Sequence, residues 1–143
     1  MRRHIKRSWK KCGCLKKRCL ILYDGDAQDN IKEVVKFIKE TLFPHFEWEE
    51  RKVFPIALVI GDLGVKQVVR ELQQQHIMAM SKFDIMTDLL LKYGFSFSDE
   101  KIKERFIDTA KEMIEVVLEN ARKEDEALFP FLLDKQVELD FKE

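Results

Sequence analysis

Apolar side chains recur every three or four positions along four stretches of the chain, the spacing that gathers them on one face of an α-helix. The stretches cover about residues 2–22, 28–58, 64–93 and 98–135. The repeating positions of the last three stretches are Ile31, Val34, Val35, Ile38 and Leu42; Val65, Val68, Val69, Leu72, His76, Met80, Phe83, Met86 (or Ile85) and Leu90; and Ile102, Phe106, Ala110, Ile114 and Val117. The first stretch is less regular, with Gly13 at its centre. These patterns predict four helices.

Short segments rich in glycine and polar residues separate the four stretches. Gly94 is placed to end the third helix, and Ser98 is placed to cap the start of the fourth. Long helices joined by short loops predict an all-α fold, an antiparallel up-down-up-down four-helix bundle that forms a single domain over residues 1–143. Pro44 and Pro130 fall inside the second and fourth helices and predict a bend at each.

Composition agrees with a helical protein, because the chain has only 5 Gly and 3 Pro in 143 residues. Its 26 basic and 26 acidic side chains balance, but residues 1–23 contain nine Lys or Arg and no acid. We interpret this basic segment as a solvated helix face. Docking of the segment on nucleic acid or on an acidic partner is the alternative, and we do not expect nucleic acid to be a partner.

Two features concern where the protein works. The apolar run "CLILY" is too short for a signal peptide or a membrane span, so we expect a cytoplasmic protein with no membrane partner. Cys12, Cys14 and Cys19 are odd in number and close together, which argues against a secreted disulfide framework. We interpret them as free thiols, since a soft-metal site would need a fourth ligand.

Helix geometry brings all three histidines to one level of the predicted bundle. At about 1.5 Å per residue, His4 and His45 lie equally far from the first loop, and His45 and His76 lie equally far from the second. Glu49 and Glu124 both lie one turn from that level, in the same direction, because the second and fourth helices run the same way. The sequence therefore predicts that these five side chains converge.

The converging residue types indicate a metal site. Imidazole and carboxylate ligands together suit iron, manganese or zinc, and carboxylates inside a bundle are costly unless a cation compensates their charge. His45 and Glu49, four positions apart, lie on one helix face. We interpret the neighbouring Glu47 and Glu50 as part of an ordinary solvated surface.

Two segments of the chain share one pattern. "HFEWEERKVFP" (45–55) and "NARKEDEALFP" (120–130) each carry an acidic pair followed by Phe-Pro, and His45 of the first aligns with Asn120 of the second. The first segment resembles the second-helix signature of the hemerythrin family, in particular its HHE cation-binding domains. "RKEDEALFP" resembles the fourth-helix counterpart of that family.

This resemblance implies a four-helix bundle that holds a non-haem diiron centre, with two carboxylates bridging the irons and histidines completing each one. On that pattern His4 matches the first-helix ligand, His45 and Glu49 match the second-helix pair, and His76 matches one third-helix histidine. The fourth-helix carboxylate falls on Glu124 or Asp125, depending on which members of the family are compared, and the choice stays open.

Two family histidines have no counterpart here. Leu72 and Met80 stand four residues before and after His76, where the third helix would carry its second histidine, and Asn120 replaces the fourth-helix histidine. We expect a protein with a depleted histidine set that holds one or two non-haem iron ions and acts in binding or sensing dioxygen, peroxide, another small ligand or iron itself. A binding protein is favoured over an enzyme. The alternative is a metal-free helical interaction module descended from the same bundle.

Overall fold

The computed structural model of the protein describes residues 27–95 and 97–135, with side chains from residue 31 onward. The predicted first helix (2–22), with His4 and the three cysteines, lies outside these residues. Within the described ranges the structure is helical and contains no strand, which confirms the all-α class. None of the helices described is both long and apolar enough to cross a membrane.

Three long helices make up this part of the chain. The first consists of three α-helical segments joined by two π-helical turns, the second is uninterrupted, and the third contains one π-helical turn. In chain order the α-helical segments are α1 (Ala27–Phe37), α2 (Phe43–Trp48), α3 (Phe54–Ile60), α4 (Leu63–Tyr93), α5 (Glu100–Lys123) and α6 (Phe129–Asp134). The π turns are Ile38–Leu42, Glu49–Val53 and Glu124–Leu128.

Each proline follows directly after a π turn and a phenylalanine. The backbone N–H groups of Phe43, Phe54 and Phe129 donate to the carbonyl five residues earlier, instead of four. Proline lacks an N–H, and its ring presses on the carbonyl four residues back, which lies inside the widened turn in all three cases. The sequence predicted a bend at Pro44 and Pro130; the structure has a π turn before each, and before Pro55 as well.

The loops end the helices through local hydrogen bonds. Asp62 Oδ1 accepts from the backbone N–H of Val65 at 2.9 Å and caps α4. Gly94 ends α4 with φ 73°, a left-handed conformation that favours glycine, as the sequence predicted. The predicted cap at Ser98 was wrong by one residue, because Asp99 accepts from Lys101 N at 2.8 Å and caps α5.

The core divides into two apolar clusters at opposite ends of the helices. The larger includes Ile31, Ile38 and Phe46, Phe83 and Met86, and Phe106 and Ile114. The smaller includes Trp48 and Phe54, Val69 and Leu72, and Leu128 and Leu132. Because α1 packs with the end of α4 and the start of α5, consecutive long helices run antiparallel. One predicted core position was wrong: Met80 is 49% exposed.

Candidate metal centre

A layer of polar side chains separates the two apolar clusters. Of the buried polar residues described, five lie at this level: His45, Glu49, His76, Asn120 and Glu124. None is more than 5% exposed. Buried acids are uncommon in proteins unless they are paired or bind a cation, so this layer is the part of the molecule that calls for a functional explanation.

Three of these residues form a compact group of donor atoms. His45, Glu49 and Glu124 each offer one possible ligand atom, and these three atoms lie within 4.8 Å of one another. His45 Nε2 is 3.4 Å from Glu49 Oε1, and His76 Nε2 is 3.3 Å from the same oxygen. Glu49 therefore stands at the centre of the group, between a histidine of its own helix and a histidine of α4.

The π turns place the two carboxylates. Glu49 and Glu124 are the first residues of their π turns, and the phenylalanine five residues after each is buried as well. An α-helix turns through about 140° more than a full circle over five residues, whereas a widened turn keeps such positions closer to the same side. Both helices can thus direct a glutamate into the polar layer and a Phe-Pro pair into the adjacent apolar cluster.

Glu50 is a site residue that the sequence analysis missed. Its Oε1 lies 3.0 Å from His76 Nδ1, and its Oε2 accepts a hydrogen bond from Gln73 Nε2 at 3.4 Å. The interpretation of Glu50 as ordinary solvated surface was therefore wrong. With the Nδ1 proton donated to Glu50, the Nε2 lone pair of His76 faces Glu49, the arrangement in which a carboxylate orients a metal-binding histidine.

Two aromatic rings stack on His76. The ring of Phe46 stacks on the imidazole with a centroid separation of 3.9 Å and an angle of 14° between the planes, and Phe54 lies at 5.4 Å. His45 is similarly flanked by Trp48, with centroids 5.7 Å apart. These rings restrict rotation of the two imidazoles and keep water from the layer.

Asn120 occupies the position where the resemblance leads one to expect a histidine. Its amide nitrogen donates to Leu72 O at 3.3 Å and to Gln75 Oε1 at 3.1 Å. Because both amide hydrogens are used, the amide oxygen faces His76. There it can accept a hydrogen bond from the imidazole ring, which raises the pKa of His76. Leu72 itself is fully buried in the smaller cluster.

Comparison with known families agrees with this arrangement. The family model of the hemerythrin HHE cation-binding domain matches residues 15–132. The chain belongs to this family. No curated protein and no solved structure matches it. The matched range of the HHE domain contains every residue of the polar layer and leaves out His4.

The electrostatics of the HHE domain fit a cation in the polar layer. Burial raises the pKa of Glu124 well above its usual value, and the neighbouring Glu49 carboxylate raises it further. Burial also lowers the pKa of His76, an effect that Glu124 and Glu50 oppose. Glu124 Oε1 is buried without a hydrogen-bond partner among the residues described. A positive ion between these groups would compensate the charge of the two carboxylates, and the neutral imidazole that burial favours is the form that binds a metal.

The other two predicted ligands are not part of the described group. Asp125 is exposed, whereas the adjacent Glu124 is 2% exposed and faces Glu49. His4 lies outside the described residues. Of the six residues proposed from the sequence, the HHE domain therefore brings together four: His45, Glu49, His76 and Glu124.

Proposed function

We propose that this protein is a hemerythrin-like non-haem iron protein that binds or senses dioxygen, peroxide or iron itself. The observation that carries the proposal is the pair of buried carboxylates, Glu49 and Glu124, with two histidines directed at them. Membership of a cation-binding family supports the assignment. Imidazole and carboxylate ligands are common to non-haem iron sites, and bound iron would supply redox chemistry and open positions for a small ligand.

Each residue has a separate role in this proposal. Glu49 lies between His45 and His76, so one of its oxygens can serve the ligand groups of both helices. Glu124 supplies the carboxylate of the third long helix. Glu50 accepts a hydrogen bond from the Nδ1–H of His76 and thereby presents Nε2 to the metal. The apolar clusters on both sides exclude water, which strengthens every charge interaction in the layer.

His4 completes the ligand set in this proposal. The predicted first helix would bring it to the level of His45 and make the fourth member of the bundle. If two irons bind per chain, His4, His45, His76 and the two glutamates would hold them. A single ion per chain would use the compact group of His45, Glu49 and Glu124. Asp125, the alternative fourth-helix ligand, is exposed, so the proposal assigns that ligand position to Glu124.

The first test is the metal content and visible spectrum of protein purified from iron-supplemented cells, before and after addition of ferrous iron under air. We expect between one and two irons per chain and iron absorption bands. Glu124→Gln should lose most of the metal, whereas the matched surface change Asp125→Asn should retain it. Colourless protein with well under one metal per chain after reconstitution would refute the proposal.

A metal-free interaction module is the second candidate function. Asn120 favours it, because it stands where the family pattern has a histidine and is hydrogen bonded without a metal. Leu72, one of the two positions where the second third-helix histidine was expected, is packed in the smaller apolar cluster. In that case, replacement of His45 by Ala would leave metal content unchanged at zero. The basic segment 1–23, outside the described residues, would then be the first place to seek a partner. For either function we expect a cytoplasmic binding protein.

A further inference from the structure

A groove between the first long helix and α4 contains a cavity that borders the polar layer at His76. Its volume is about 440 Å³, within the range of small-molecule pockets. Four apolar and two acidic side chains line this cavity: Phe43, Phe46, Ile77, Met80, Glu47 and Glu50. His76 of the polar layer lines the same cavity.

The apolar wall is more exposed than the core requires. Ile77 is 57% exposed and Met80 is 49% exposed, and both project from the same side of α4 into this groove. Phe43 stands opposite on the first long helix, where its ring meets Phe83 edge-on at 5.1 Å. Adjacent apolar side chains left in water beside a formed cavity are a common feature of ligand-binding grooves.

The charge of the groove is negative. Glu47 and Glu50 are three residues apart and therefore neighbours on the helix surface, and no Lys or Arg lines the cavity among the described residues. Arg51 Nε lies 3.7 Å from Glu47 Oε1, but both side chains are mostly exposed, and such pairs contribute little and exchange readily. The groove between α4 and α5 differs, since there Lys82 pairs with Glu112 at 2.5 Å.

We propose that this groove binds a small organic cation, a primary ammonium attached to an aromatic or branched aliphatic body. The body packs on Phe43, Ile77 and Met80, and the ammonium lies between the carboxylates of Glu47 and Glu50. The phenylalanine rings that line the groove add cation–π attraction for the ammonium. The assignment requires no metal, and it shares with the metal centre only the side chain of Glu50 and the ring of His76.

The experiment compares three probes of nearly equal shape in calorimetric titrations of the metal-free protein with all 143 residues: 2-phenylethylammonium, 2-phenylethanol and 3-phenylpropionate. The use of metal-free protein prevents the amine from coordinating iron. We expect the ammonium to bind at least about fivefold more tightly than the alcohol, the ratio that about 1 kcal/mol of charge attraction gives. The anion should bind most weakly.

Paired variants locate the site. Glu47→Gln should weaken ammonium binding about threefold to fivefold, whereas Glu115→Gln, in the groove between α4 and α5, should not change it. Ile77→Ala should weaken the ammonium and the alcohol alike, and Ile85→Ala, on the same helix, should affect neither. All four positions are on the surface, so the variants keep the fold, which circular dichroism verifies.

A methyl signal gives a second measurement. In NMR spectra of protein labelled at its methionine methyl groups, the Met80 methyl signal should shift on addition of the ammonium. The signal of Met113, which is 1% exposed in the core, should not shift. Equal affinity for all three probes, an unchanged Met80 signal, or full ammonium binding by Glu47→Gln would each overturn the proposal. Absence of binding at concentrations up to about 10 mM would do so too, because such an affinity has no use in recognition.

Discussion

Glu50 Oε1 lies 3.0 Å from His76 Nδ1, although the two residues belong to different long helices. The contact joins a half-buried carboxylate to an imidazole that is only 2% exposed. It links the surface of the protein to the polar layer, and it decides which nitrogen of His76 faces Glu49. Several predictions about the candidate metal centre depend on this contact and on its neighbours.

Glu50→Gln should weaken metal binding about tenfold to a hundredfold, because a neutral amide orients the histidine less well and lowers its basicity. A chelator competition titration measures the affinity. Glu47→Gln is the matched control, since Glu47 is an exposed glutamate three residues away that makes no contact with His76 among those described. An equal loss in both variants would mean that general negative charge, and not the contact, supports the metal.

Glu124→Gln should stabilise the metal-free protein while it abolishes metal binding. The amide keeps the shape of the side chain, removes the repulsion from Glu49 and can donate to that carboxylate. We expect a gain of about 1–3 kcal/mol in the free energy of unfolding, as for replacement of other poorly compensated buried charges. Urea titration of both proteins in the presence of a chelator measures it, and Asp125→Asn should change the free energy by less than about 0.5 kcal/mol.

The stabilisation by Glu124→Gln should grow as the pH rises. The pKa of Glu124 is higher in the folded than in the unfolded protein, so the folded wild-type protein binds the extra proton. Its stability is therefore lost as the pH rises from about 4.3, the usual value for glutamate, through the folded pKa. The Glu124→Gln variant does not lose stability in this way, because its glutamine does not titrate.

Unfolding free energies of both proteins, measured with chelator at several pH values between about 5 and 8, check this dependence. The lowered pKa of His76 acts in the opposite direction in both proteins, so the difference between them is the informative quantity. A difference independent of pH would show that Glu124 is ionised in the folded protein throughout this range.

Asn120→His should raise the iron content per chain, because it adds an imidazole one helical turn before Glu124 and beside His76. It should also cost about 1 kcal/mol of stability, since Leu72 O and Gln75 lose a hydrogen-bond donor. Asn120→Ala is the control, because it loses the same bonds and adds no ligand. Equal iron contents in the two variants would exclude a ligand position at residue 120.

The sequence by itself determined the helices and the level of the site. Apolar spacing marked the three helices described here, because burial of one helix face leaves a period of about 3.6 residues. The aligned segments at 45–55 and 120–130 pointed to Glu49 and to the acidic pair of Glu124 and Asp125, and equal distances from the loop placed His45 opposite His76. These are consequences of helix rise and chain order, which need no knowledge of side-chain contacts.

Only the tertiary structure decided between neighbouring residues of the same chemistry. Glu47 and Glu50 are alike in sequence, but only Glu50 meets His76, which α4 brings from 26 residues away. Glu124 and Asp125 are adjacent acids, but the π turn beginning at Glu124 directs that side chain inward and leaves Asp125 exposed. Periodicity does not detect such a turn, because one extra residue changes the apolar spacing at a single place in the helix. Packing between the helices then selects which of the two acids is buried.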